Sequence, residues 1–147
     1  MNLEDGLFTY LSSIASITNL LRANSTAPVR IFPDVAPQGT VAPYLTFGIV
    51  SDIPAMHARA ASGLASCTIQ IDVWATSSAT RRTVADTLRN AANGAVNVML
   101  GSVRVQSMAL ESADNSYEPP TNSSEVGYYR ARMDFTIWYQ ETIPTLS

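Results

Sequence analysis

Two long segments of alternating apolar and polar residues constrain this chain more than any other feature. In residues 64–75 the apolar set is Cys67, Ile69, Ile71 and Val73, and the other set is Thr68, Gln70, Asp72 and Trp74. Residues 128–140 alternate the apolar positions Tyr129, Ala131, Met133, Phe135, Ile137 and Tyr139 with Arg130, Arg132, Asp134, Thr136 and Trp138. Successive side chains of a β-strand point to opposite faces, so both segments predict strands with one buried face.

Two other segments have the spacing of helices that bury one side. The apolar residues of segment 3–21 form one stripe on a 3.6-residue helix, and Asn2 is the predicted N-cap. A second helix follows the capping candidates at 76–78, repeats apolar residues at positions 84, 88 and 92, and ends at Asn93-Gly94.

The remaining segments predict short strands and loops. Residues 29–32, 44–50 and 102–110 are predicted strands, residues 51–63 a loop or a long mobile hairpin arm, and residues 111–127 a polar loop. The order of helix, strands, helix and strands predicts an α+β fold, with an antiparallel or mixed β-sheet and two main helices packed on one face. The 147 residues suit a single domain, 1–147.

Composition excludes several classes of function. Only 14% of the residues are charged and the formal net charge is −3, which argues against a protein that grips nucleic-acid phosphates. All nine basic residues are arginines, so Schiff-base chemistry and a phosphate-loop lysine are excluded. The start of the chain lacks the pattern of a signal peptide, and no stretch has the length of an apolar membrane span. We therefore expect synthesis in a reducing cytoplasm.

The single cysteine and single histidine offer little chemistry. Cys67 cannot form an intramolecular disulfide, and with His57 as the one imidazole a zinc site is not expected. Cys67 shares a strand face with Ile69 and Ile71, so we interpret it as a core residue rather than a catalytic thiol. We expect no metal, no cofactor and no catalytic residue.

Two carboxylates leave an alternative open. Asp72 and Asp134 lie in the middle of predicted strands, where a sheet could bring them together as an acid and a base. Arg130 and Arg132 share the polar face of the last strand, so charge pairing across a solvated face explains the pattern more simply. An enzyme or ligand-binding domain would instead have a deep pocket lined by both carboxylates.

Four stretches, taken in order, resemble one known family. They are residues 2–8, residues 30–33 with 37–39 and 43–47, residues 68–75 with 81–88, and Tyr117-Glu118-Pro119 with residues 129–139. Each motif alone is common, but the ordered set covers most of the chain. Read as a whole, the chain resembles the tail-completion or tail-terminator proteins of long-tailed bacteriophages.

The resemblance implies a structural role without catalysis. It implies a homohexameric ring in the virion that caps the head-proximal end of the tail tube, ends tube growth and allows head–tail joining. The implied partners are further copies of the chain, the major tail tube protein and the head–tail connector or neck protein, while DNA passes through the channel without specific binding. We expect assembly contacts at Met56, His57, Arg59, Tyr117 and Glu118. A different neck or connector component is the alternative within this class.

Overall fold

The computed structural model describes residues 3–24, 26–56, 61–100, 103–120 and 127–140. Within these ranges it has three helices and six strands. In chain order they are α1 (Leu3–Ser12), α2 (Ala15–Thr18), β1 (Ile31–Pro33), β2 (Tyr44–Met56), β3 (Ala61–Ala75), α3 (Ser78–Ala92), β4 (Ala95–Leu100), β5 (Val103–Glu118) and β6 (Tyr128–Gln140).

The six strands form one mixed sheet with the order β1-β2-β3-β6-β5-β4. β1 runs parallel to β2, and every other neighbouring pair is antiparallel. The helices contact the face that carries the buried apolar residues, with α1 over β1 and β4 and α3 over β3, β5 and β6. The predicted α+β class and the packing of helices on one face are confirmed.

The central pair β3–β6 has the predicted phase. Ile71 lies opposite Met133 and Asp72 opposite Arg132, so the two apolar stripes share one face of the sheet. Ile69, Ile71, Val73, Met133, Phe135 and Ile137 are all buried there. The alternation determines this register because a slip by one residue would turn every apolar side chain toward solvent.

The first predicted helix is broken in two. α1 ends at Ser12, Ile14 adopts an extended conformation with φ −92° and ψ 106°, and α2 begins at Ala15. The Ser13 hydroxyl donates to the Tyr10 carbonyl at 2.6 Å, a local bond of the kind that competes with helix continuation. The apolar stripe survives the break, since Leu11 and Ile17 are both buried. The predicted cap Asn2 lies outside the described residues.

The second helix is confirmed at both ends. The Ser77 hydroxyl accepts a hydrogen bond from the Thr80 amide at 3.2 Å, which satisfies a first-turn donor. Val84 and Leu88 are buried against the sheet. After α3, Gly94 has a φ of +84°, a conformation that favours glycine and turns the chain into β4.

Residues 51–56 and 61–63 belong to two paired strands rather than to a loop. β2 continues to Met56 and pairs with β3 as far as Ala61, with register shifts at Ile49/Ser51 and Pro54/Met56. Pro54 is compatible with this strand because a proline without an N–H is tolerated on an edge strand. The described part thus matches the hairpin arm, while residues 57–60 lie outside the described ranges.

The prediction of a polar loop at residues 111–127 is wrong for its first half. β5 runs to Glu118 and pairs with β6 through to Glu118↔Tyr128. Residues 111–117 are all exposed, so no apolar alternation marks this strand in the sequence. β4 was also not predicted, because residues 95–100 follow the helix directly and alternate poorly. Residues 121–126 are outside the described ranges.

Candidate interaction surfaces

The predicted assembly contacts fall in two places. Met56 is the last residue of β2, whereas His57 and Arg59 lie outside the described residues. Tyr117 and Glu118 close β5 at the opposite end of the sheet. Contacts at these five positions remain a prediction.

Tyr117 is held at the end of β5 by its neighbours. Its side chain is 51% exposed, and its ring centroid lies 5.0 Å from that of Tyr129. A Cβ at Gly127 would overlap the Tyr117 hydroxyl, so glycine leaves the space that this ring occupies. Glu118 pairs with Arg130 at 3.6 Å. This end of β5 presents an ordered aromatic ring and a carboxylate to solvent.

An aromatic cluster covers the open face of the sheet near the start of β2. The rings of Tyr44 and Trp74 stack with centroids 6.1 Å apart, and Tyr128 meets both edge-on. Trp74 Nε1 donates to Thr46 Oγ1 at 3.0 Å. Burial raises the pKa of the Tyr44 hydroxyl and nearby Tyr128 adds to the shift, so Tyr44 is neutral at physiological pH.

Asp72 pairs with an arginine across the strands. Its Oδ2 accepts from Arg130 at 3.0 Å and from Gln70 Nε2 at 2.8 Å, which confirms the predicted charge pairing. The predicted solvent exposure is wrong, because Asp72 is only 7% exposed beneath these partners. The Arg130 guanidinium also lies 4.9 Å from the Trp74 ring centroid and joins the carboxylate to the aromatic cluster.

Asp134 belongs to a separate group. Its carboxylate lies 3.4 Å from Arg132 Nε and accepts from the Ser112 hydroxyl at 3.2 Å. The cavity of about 210 Å³ beside Asp72 is lined by residues of β2 and β3 and by Asp34, without Asp134. The two carboxylates are therefore set in different ion pairs rather than in one acid–base pocket.

Cys67 lies where the sequence predicts it. It is buried in the core cluster with Ile69 and Ile71. Among the helices of the described ranges, none has the length and hydrophobicity of a transmembrane segment.

A groove of about 380 Å³ runs between α3 and the outer end of β5. We call it the arginine groove. It is lined by Arg81, Arg82, Ala85, Asp86, Arg89, Ala113, Asn115, Ala131 and Met133. Arg81 is fixed by a 3.3 Å bond to the Ser116 carbonyl and by its position 5.5 Å from the Tyr129 ring centroid, while Arg82 and Arg89 are exposed. Three guanidinium groups against one carboxylate make this surface positive.

A second hollow, of about 640 Å³, lies at the other edge of the sheet. We call it the acidic hollow. It is lined by Glu4, Asp5, Phe8, Thr9, Pro33, Asp34 and Phe47. Phe8 is 41% exposed there, a large apolar side chain among three carboxylates. Sequence reasoning missed both surfaces because each joins segments far apart in the chain. The signals available were the acidic pair at positions 4–5 and the three arginines at positions 81, 82 and 89.

Comparison with known proteins identifies the family of this chain. The model of the family "Tail completion protein gp17" matches residues 5–140. The fold is similar to that of a chain from a solved structure titled "Virion of native gene transfer agent (GTA) particle", with a TM-score of 0.62 and 17% identity over 94% of this chain and 93% of that one. No curated protein matches the sequence. Since the family model spans nearly all of the α+β domain, the chain belongs to the tail completion protein gp17 family, a family of structural phage tail proteins.

Proposed function

We propose that the protein caps the head-proximal end of a phage tail tube as a homohexameric ring, ends tube growth and allows the head to join. Its partners are further copies of itself, the major tail tube protein and the head–tail connector or neck protein. It is made in the cytoplasm of a bacterial host and resides in the virion. The observation that carries the proposal is the family match over residues 5–140, which takes in every helix and strand but the first residues of α1.

The distribution of charge supports assembly from identical copies. The arginine groove and the acidic hollow lie at opposite edges of one sheet. A ring is built by heterologous contacts, in which one surface of a subunit meets a different surface of the next. Two unlike surfaces of opposite charge suit that arrangement.

A structural role without catalysis fits the ion pairs of the open face. Asp72 and Asp134 are each bonded to an arginine, which is the arrangement of a supporting network rather than of a general acid. The net charge of −3 also suits a channel wall that DNA passes without being held.

Of the five proposed assembly contacts, Tyr117 and Glu118 have the most direct structural support. Both end the exposed half of β5, where an exposed ring beside a charged pair can pack on a partner. We propose a second group of contacts at Met56, His57 and Arg59, of which Met56 ends β2 at the opposite end of the sheet.

Deletion of the gene in the strain that produces the particle tests the proposal. We expect filled heads and tails that fail to join, with some tails of abnormal length, in electron micrographs. Tails of normal length that fail to join would instead indicate the alternative role as another neck component. Normal infectious particles from a strain with no second copy of the gene would contradict both roles.

A further inference from the structure

The two edges of the sheet are stepped. At one edge β4 pairs with β5 from Val103 to Met108, and within the described residues no strand lies outside segment 111–118. At the other edge β1 pairs with β2 from Leu45 to Phe47, and within the described residues no strand lies outside segment 48–56. Each edge thus has one half paired with an outer strand and, among the described residues, one half without an outer strand, in which the Ser116 carbonyl accepts from Arg81.

The two steps are complementary. Tyr44, at the start of β2, is level with Trp74, Arg130 and Ser116, so β1 and the uncovered half of β5 lie toward the same end of the sheet. β4 and the uncovered half of β2 lie toward the other end. If a second copy is placed beside the first, the β1 strand of the second copy lies next to the uncovered half of β5 of the first copy. The β4 strand of the first copy then lies next to the uncovered half of β2 of the second copy. The strand directions make β1 antiparallel to β5 of the neighbour.

The charged surfaces lie at matching levels. Pro33 pairs with Phe47, and the same row continues through Ile71 and Met133 to Ala113. Phe47 and Pro33 line the acidic hollow, and Met133 and Ala113 line the arginine groove. Phe47 and Met133 also belong to the helix-covered face. Sideways placement of two copies therefore brings the acidic hollow of one to the arginine groove of the next without a shift along the strands.

We propose that the uncovered half of β5 and the arginine groove form the docking surface for β1 and the acidic hollow of a second copy of this chain. Glu4, Asp5 and Asp34 of one copy face Arg81, Arg82 and Arg89 of the next, and exposed Phe8 packs toward the apolar side chains of the groove. This assignment rests on the proposed ring, and it names the surfaces through which the ring closes.

Charge complementarity gives the contact its specificity. Pairs of opposite charge steer copies into register, while like charges brought together oppose binding. The three carboxylates and the three guanidinium groups lie in different hollows of one copy, so the proposed pairing joins two copies. The surfaces thus favour a head-to-tail contact over a two-fold one.

Cross-linking of assembled tails tests the contact. The chain contains no lysine, so R82K introduces one side-chain amine and keeps the positive charge of the groove. Tails are isolated from particles of a strain whose only copy of the gene encodes the R82K variant. They are treated with a carbodiimide, which joins an amine to a carboxylate in contact with it. We expect a cross-link between two chains that joins residue 82 to the segment holding Glu4 and Asp5, or to Asp34, as identified by mass spectrometry.

The matched control is R104K. Arg104 is exposed in the half of β5 that β4 covers, so its amine should give no cross-link to those acidic residues. Tails that contain the R82K chain but join residue 82 to another surface, or to none, would overturn this contact and leave the ring intact. Absence of the parent chain from tails would contradict the proposed function itself.

Reciprocal charge reversal gives an independent test. E4R and R82E each place like charges at one contact, and each alone should lower particle yield about tenfold or more. Co-production of the two variants should restore the yield to within about threefold, because rings that alternate them pair opposite charges at every contact. Thermal melts like that of the parent exclude misfolding. Normal yield from either variant alone, or no restoration on co-production, would overturn the proposal.

Discussion

The two faces of the β3–β6 pair share one register but are stabilised differently. On the helix side, Ile71 and Met133 meet in a continuous apolar core. On the open side, the neighbouring positions hold Asp72 and Arg132, and the carboxylates Asp72 and Asp134 each pair with an arginine. The apolar face is thus stabilised by close packing of its side chains. The open face is stabilised by individual hydrogen bonds and ion pairs, and the loss of one pair affects only its own neighbourhood.

The largest expected effect is on the apolar face. Phe135→Ala removes a fully buried ring and should lower the free energy of unfolding by about 3–5 kcal/mol. Trp138→Ala, on the open face of the same strand, should cost about 1 kcal/mol or less because Trp138 is exposed. Urea unfolding of both variants measures the difference. Equal losses would contradict the assignment of the two faces.

The next effect is on the charged pair of the open face. Asp72→Asn replaces the buried carboxylate beside Arg130 with a neutral amide, leaves Glu118 as the more exposed carboxylate near that arginine, and should cost about 2 kcal/mol. Asp134→Asn, whose carboxylate is more exposed, should cost about 0.5 kcal/mol. A double-mutant cycle with Arg130→Met isolates the pair. Absence of coupling in that cycle would show that Asp72 acts without Arg130.

A smaller effect is expected in the aromatic cluster. Trp74→Phe removes the hydrogen bond to Thr46 and weakens the contact with Arg130, for a loss of about 1 kcal/mol. Thr46→Val removes the acceptor of the same hydrogen bond. If the hydrogen bond matters, the two losses are not additive in thermal or urea unfolding; simple additivity would argue against it.

The smallest effect depends on pH. The pKa of Tyr44 is raised above 10.0 in the folded chain, so the unfolded chain loses this proton first as pH rises. The contribution of Tyr44 is present below pH 10.0 and declines as pH passes through the folded pKa. Tyr44→Phe should therefore lose less stability than the parent between pH 9 and pH 11. Parallel pH profiles for the two proteins would contradict the raised pKa.

Sequence reasoning worked where the apolar pattern determines structure. The phase of β3 and β6, the helix at Ser78–Ala92 and its Ser77 cap follow from side chains whose burial or hydrogen bonding is local. The outer half of β5 was missed because Asp114, Asn115 and Ser116 form a strand through backbone pairing with β6 alone. Backbone pairing does not require alternating apolar and polar side chains, so the hydrophobic pattern of the sequence does not indicate this strand.

The candidate surfaces were only partly predictable. The sequence pointed to Tyr117 and Glu118 through family resemblance, and the structure adds their packing on Tyr129 and Arg130. The acidic hollow was not foreseen, because Glu4 reaches Asp34 only through the packing of α1 on β1. Charged residues from distant segments form one surface only in the folded chain, so the sequence alone does not show that surface.

The uncovered half of β5 also affects how the unassembled protein behaves. Its exposed side chains include Glu111, Asp114 and Asn115, and the strand at the other edge, β1, has only three residues and ends in Pro33. Charged residues, short edges and proline discourage indiscriminate strand addition, the first step toward fibrils. Edges of this kind therefore disfavour aggregation of the unassembled chain through strand addition.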